Sequence, residues 1–316
     1  MKPYLESLLL VVAIVVGSLT GLFTSFDTPL VDFFIIAMLF FLFYNISWAG
    51  FFNGVKNRKY IAIALVSNFV AIPIIAFVLS TFVVGNSSAI FVGLIIYLVA
   101  PCTDWYLGFT KLANGDVEAN SALLPFNLLA QILLLPVYLY VFTANRIGIP
   151  FEAFFDVLVY WVFLPFASAQ ILRVLVKKFK PAILEKSNSL AELLVLIAII
   201  LLVFSIFNSN VESLITNTAV LPKVFVVILT FFIATFFFAR FISRKLAFPK
   251  KEEISLTMTT AARNAPLMLV ISLIFFPQES LIHLVLVIGM LVEFPHLITI
   301  THLLKRQSQF SSTKMG

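Results

Sequence analysis

The chain has 316 residues, 61% of them hydrophobic and only 11% charged. A soluble domain carries roughly 45–50% apolar and about 25% charged residues, so the composition excludes a soluble enzyme, a disordered chain, a disulfide scaffold and a coiled coil. The single Cys forms no intrachain disulfide, and the net charge of +6 fits basic loops beside a membrane better than a nucleic-acid partner.

A helix crossing about 30 Å of hydrocarbon needs roughly 20 apolar residues. Ten such segments are predicted in chain order, at about 5–24, 29–51, 60–84, 89–113, 119–143, 151–175, 189–208, 221–244, 252–276 and 280–304. The first is expected to be a retained helix, since it is long enough to span and no A-x-A-like cleavage site follows it. Its Gly17 and Gly21 form a GxxxG pattern that permits close packing but is frequent by chance. Pro73, Pro125, Pro136, Pro165 and Pro295 fall inside spans, as membrane helices tolerate.

The basic residues divide unevenly. Lys2, the loop after the second span (Lys56, Arg58, Lys59), Lys111, the loop after the sixth (Arg173 to Lys186), the loop after the eighth (Arg240 to Lys251) and the C-terminus carry 18 Lys and Arg. The opposite side has only Arg146 and Lys223. The positive-inside rule then places both termini in the cytoplasm of a multi-pass cell-membrane protein. The expected fold is an all-α integral membrane protein with ten spans. They form two inverted five-helix repeats, residues 1–144 and 145–306, followed by a cytoplasmic tail at 307–316. Ala100-Pro101-Cys102-Thr103-Asp104 interrupts the fourth span and Ala262-Arg263-Asn264-Ala265-Pro266 the ninth. Interruptions at matching places in two halves point to a midplane binding site.

Charge inside a membrane helix is expensive, about 2.5–3.5 kcal/mol per residue at the centre. Asp104, Arg263 and Glu293 are therefore functional candidates, while Asp32, Asp156 and Glu192 lie near span ends. If the breaks cross, Asp104 and Arg263 can pair, either to hold the breaks together or to form a substrate site. Glu293 sits mid-span, as a proton carrier or as a neutral acid bonded to a carbonyl freed by Pro295, with His296 close to the same face. Cys102, the lone thiol, is either packing or one reversible ligand for a thiophilic solute such as arsenite. Asn45, Ser47, Asn68, Asn127, Gln131, Thr257, Thr259 and Thr260 add polar lining. No P-loop, HExxH or GxSxG motif is present. An intramembrane enzyme using Asp104 and Glu293, or a passive channel, explains the paired breaks less well than a secondary transporter.

The run Ala100 to Asp104, continuing to Leu112-Ala113-Asn114-Gly115-Asp116, resembles the fourth helix of the bile acid:sodium symporter superfamily. Ala262-Arg263-Asn264 is similar to its second broken helix. Leu291-Val292-Glu293-Phe294-Pro295 resembles the arsenite-permease branch. The resemblance implies arsenite efflux driven by proton exchange, with Cys102 and Glu293 as the essential thiol and acid. Where sodium-coupled members carry an acid and a Gln in the ninth helix, this chain has Thr259 and Arg263. The expected substrate site is Cys102, Thr103, Asp104, Arg263 and Asn264, with Glu293 and Asp104 coupling protons. A small organic anion held by Arg263 is the alternative substrate. The expected partners are that solute, protons and the lipid bilayer, with no metal, cofactor or nucleic acid.

Overall fold

The computed structural model describes residues 3–24, 29–45, 57–84, 88–103, 105–143, 162–216 and 221–313. Secondary structure among them is helical: α1 (Pro3–Gly21), α2 (Pro29–Tyr44), α3 (Arg58–Val84), α4 (Ser88–Val99), α5 (Tyr106–Leu112), α6 (Val117–Thr143), α7 (Leu164–Phe179), α8 (Leu184–Ser209), α9 (Val211–Thr216), α10 (Leu221–Lys245), α11 (Lys250–Ala261), α12 (Ala265–Phe275) and α13 (Ser280–Thr313). Five stretches are long and apolar enough to cross a membrane unaided: Arg58–Val84, Val117–Phe142, Pro181–Ser209, Leu221–Lys245 and Ser280–Lys305. α4 and α12 are apolar but short. Each continues through an extended break into a second short helix, α5 after α4 and α11 before α12. The sixth expected span begins in residues outside the described set.

The helices pack as two groups. α8 lies against α1 and α2, and α2 against α7. In the second group α4 sits between α3, α6, α12 and α13, and α10 packs on α3, α11 and α13. The groups meet mainly where α13 touches α1 and α8 and where α12 touches α2. Large apolar side chains on the outer faces, such as Phe82, Leu133 and Phe237, are exposed, as lipid contact requires.

GxxxG is structural in this chain. A Cβ at Gly17 would sit 2.6 Å from the Phe204 carbonyl oxygen, and one at Gly21 would collide with the Asn208 carbonyl. Both glycines bring α1 onto the backbone of α8, whose Asn208 donates to the Thr20 hydroxyl at 2.9 Å and the Thr24 carbonyl at 3.1 Å.

Pro73 has a visible consequence. A proline has no N–H and its ring crowds the carbonyl four residues earlier, here Phe69. The helix widens into one π turn over Ser67–Ala71, and the Tyr138 hydroxyl donates to the freed Phe69 carbonyl at 2.6 Å. The same turn carries Asn68 into the interior.

Three of the loops predicted to share a side, those after the second, fourth and eighth spans, meet. Asn57 donates to Glu252 at 2.7 Å, Lys59 donates to the Leu246 carbonyl ending α10 at 2.9 Å, and the Asp116 N–H meets the Lys251 carbonyl at 3.2 Å. Arg240 and Lys250 both pair with Glu253, at 3.2 and 3.0 Å.

Candidate functional site

The two breaks cross. Pro101 and Arg263 form an antiparallel bridge, with the Cys102 N–H donating to the Ala262 carbonyl at 3.0 Å and the Asn264 N–H to the Ala100 carbonyl at 2.9 Å. A helix ends with four carbonyls lacking intrahelical partners and a partial negative charge. α4 and α11 both end at this crossing, and α12 begins at it.

Arg263, fully buried, answers both ends. Its Nη1 donates to the Leu98 carbonyl of α4 at 2.9 Å. Its Nη2 donates to the Thr260 and Thr259 carbonyls of α11 at 2.7 and 3.3 Å. The guanidinium also lies 5.5 Å from the Phe231 ring centre on α10, while its Nε has no partner. Asp104, the partner expected from sequence, lies outside the described residues.

Glu293 reaches the crossing from α13. Its Oε1 accepts the Arg263 backbone N–H at 2.8 Å, and its Oε2 lies 3.1 Å from the Tyr97 hydroxyl of α4. That hydroxyl is also 2.9 Å from the Gly289 carbonyl, one turn earlier on α13. Glu293 thus draws its partners from the break and from α4. His296 stacks on Phe232 with centroids 4.4 Å apart, and its Nε2 is buried without a partner.

Asn264 caps α12 by accepting the Leu267 N–H at 3.4 Å, and its amide donates to the Thr103 hydroxyl at 3.0 Å and to Gln131 at 3.3 Å. Asn68 donates to Asn127 and to the Thr259 hydroxyl, at 3.3 and 3.2 Å, and Asn127 donates to the same hydroxyl at 3.3 Å. Asn68 Oδ1 and Gln131 Nε2 are buried without partners. The structure therefore brings Thr103 and Asn264 together beside a polar cluster drawn from α3, α6 and α11. Cys102 is buried, sharing an apolar cluster with Tyr106, Met258, Ala262 and Phe294.

The Asn114-Gly115-Asp116 turn fastens α5 and α6 to α11. Asn114 adopts a left-handed φ of 63°, and the Gly115 N–H closes onto the Thr110 carbonyl at 2.8 Å. Asp116 caps α6 through the Ala119 N–H at 3.0 Å. The Ser255 hydroxyl accepts the Asp116 N–H at 2.7 Å and lies 3.0 Å from its carbonyl.

Sequence reasoning missed Tyr97, whose only signal was a hydroxyl-bearing aromatic within an aliphatic run facing the glutamate span. It also missed the carbonyl partners of Arg263, which residue identity cannot display.

The family model described as the sodium bile acid symporter family matches residues 32–217, more than half of the chain. No curated protein matches the chain.

Proposed function

Because the chain belongs to the sodium bile acid symporter family, we propose that this membrane transporter exports arsenite, or a similar small thiophilic oxyanion, in exchange for protons and without sodium. In this reading ten spans form two inverted five-helix repeats in the plasma membrane, with both termini in the cytoplasm, where 18 of the basic residues lie.

The observation that carries the reading is the Arg263 guanidinium on the carbonyl ends of both half-helices. Those carbonyls suit a cation, and a tethered one already holds them. A second cation 4 Å away would meet a repulsion of about 4 kcal/mol at an effective dielectric of about 20. Thr259 supplies a hydroxyl, and the described carboxylate at the crossing, Glu293, is already bonded to the Arg263 N–H and Tyr97. The organic-anion alternative asks Arg263 to meet a carboxylate, for which three of its five N–H donors are already held by carbonyls, leaving the Nε hydrogen and one on Nη1.

Cys102 supplies one thiol at the crossing: its S–H exchanges with one As–OH of trivalent arsenic to form a single S–As bond and release water, and hydrolysis by water reverses the step. Thr103, Asn264 and Asp104 complete the substrate site. Glu293 takes up and releases the coupling proton, with Asp104 the second candidate for that role.

The test is arsenite accumulation in arsenic-sensitive cells. Cells expressing the protein should hold less arsenite than vector controls, and the difference should vanish with Cys102→Ser. Equal accumulation in all three would remove arsenite from the account.

A further inference from the structure

We propose that Tyr97 completes the proton-loading site of Glu293, its single hydroxyl hydrogen serving the carboxylate when Glu293 is ionised and the Gly289 carbonyl when Glu293 is protonated. The proposal rests on the proton-coupling reading above and adds a positioning residue to it.

The geometry poses a counting problem. A tyrosine hydroxyl donates one hydrogen, and two acceptors compete for it, the Gly289 carbonyl at 2.9 Å and Glu293 Oε2 at 3.1 Å. An ionised Glu293 takes the hydrogen at Oε2, because a bond to an ionised acceptor is roughly twice as strong as a neutral one. A Glu293 protonated at Oε2 donates to the tyrosine oxygen instead, and the tyrosine hydrogen turns to Gly289. Gly289 lies one helical turn before Glu293, where the regular ladder directs the Glu293 N–H to the same carbonyl, so this acceptor tolerates either state. Glu293 Oε1 keeps the Arg263 N–H throughout. The proton comes from solution and returns to it; Tyr97 gains and loses none.

The ring cannot follow the hydrogen. Tyr97 is fully buried, and a Cβ at Gly289 would lie 2.5 Å from its ring atoms, so the ring fills the space that only glycine leaves. Rotation about the C–O bond is the remaining freedom. The arrangement therefore accommodates both charge states of a buried acid without moving a helix. The ionisable groups around it are Tyr97 from α4, Arg263 and Cys102 from the breaks, and His296 on its own helix, turned onto Phe232. Asp104 of the first break lies outside the described residues.

The experiment uses purified full-length protein in vesicles. Infrared difference spectra identify the Glu293 carboxyl stretch as the band lost in Glu293→Gln. Tyr97→Phe should move that band and lower arsenite–proton exchange about tenfold, the scale of one hydrogen bond to a charged group, with KM unchanged. An unmoved band, or exchange in Tyr97→Phe equal to that of the unaltered protein, would overturn the proposal. If Glu293→Gln exchanges normally while the band still moves, the coupling reading fails and the Tyr97–Glu293 pairing stands. Should Tyr97→Phe not fold, the tyrosine C–OH band of the unaltered protein must change as Glu293 titrates and stay fixed in Glu293→Gln. A band that stays fixed in both overturns the proposal.

Discussion

Replacing Arg263 with alanine removes the group that joins the two half-helices. Three carbonyls lose a charged donor, and bonds to charged groups contribute about 1.5–3 kcal/mol each. The gross loss is therefore roughly 5–9 kcal/mol. Burying a guanidinium carries a desolvation penalty of several kcal/mol that the variant no longer bears. A net destabilisation of about 3–5 kcal/mol follows. The empty position is lined by the Leu98, Thr259 and Thr260 carbonyls, which suit a hard cation. Sodium at about ten times its Kd would then return ~1.4 kcal/mol. The assay is thermal unfolding of purified protein in sodium chloride and in choline chloride at equal ionic strength. The unaltered protein should unfold at the same temperature in both. Arg263→Ala should unfold earlier, with part of the loss recovered in sodium only. Arg263→Lys should fall between them, because an ammonium lacks the planar fork that reaches both helix ends. Sodium stabilising the unaltered protein, or Arg263→Ala matching it in choline, would refute the reasoning.

Tyr138→Phe leaves the Phe69 carbonyl without the donor that compensates for Pro73, and should lower stability by about 1–3 kcal/mol in the same unfolding assay. Gly17→Ala places a methyl against the Phe204 carbonyl and should destabilise by about 1–3 kcal/mol, read as earlier thermal unfolding with α1 loosened from α8. Cys102→Ser, nearly isosteric, should leave folding yield unchanged and abolish arsenite efflux; normal efflux would take the thiol out of the mechanism.

Much of the architecture was legible in hydropathy because a membrane helix must be apolar over a fixed length, whatever its neighbours. The two breaks were legible for the same reason: Pro101 and Arg263 stand out against an apolar background. That they cross was expected only conditionally, since pairing between segments some 160 positions apart leaves no local periodicity. The sequence marks Arg263 as the anomalous charge and offers Asp104 as its partner. Its described partners are backbone carbonyls, available at every residue and therefore invisible in the sequence. Glu293 is expected in the sequence either to carry a proton or to bond a carbonyl freed by Pro295, and its described hydrogen bonds come from the Arg263 N–H and Tyr97, on other elements. The GxxxG of α1 carried little weight as a pattern, and its meaning came from Phe204 and Asn208 on α8. The π turn at Ser67–Ala71 follows from Pro73, yet a proline in a helix permits several local repairs. Tyr138 decides which one is stable here.

In the proposed function, Arg263 is a tethered cation that replaces sodium in a proton-coupled arsenite exporter. The most direct test is arsenite flux in vesicles carrying the purified protein, with an imposed pH gradient and sodium replaced throughout by choline. Flux should follow the pH gradient, be indifferent to restoring sodium, and be lost in Glu293→Gln. Flux that appears only when sodium is restored would contradict the proposed function.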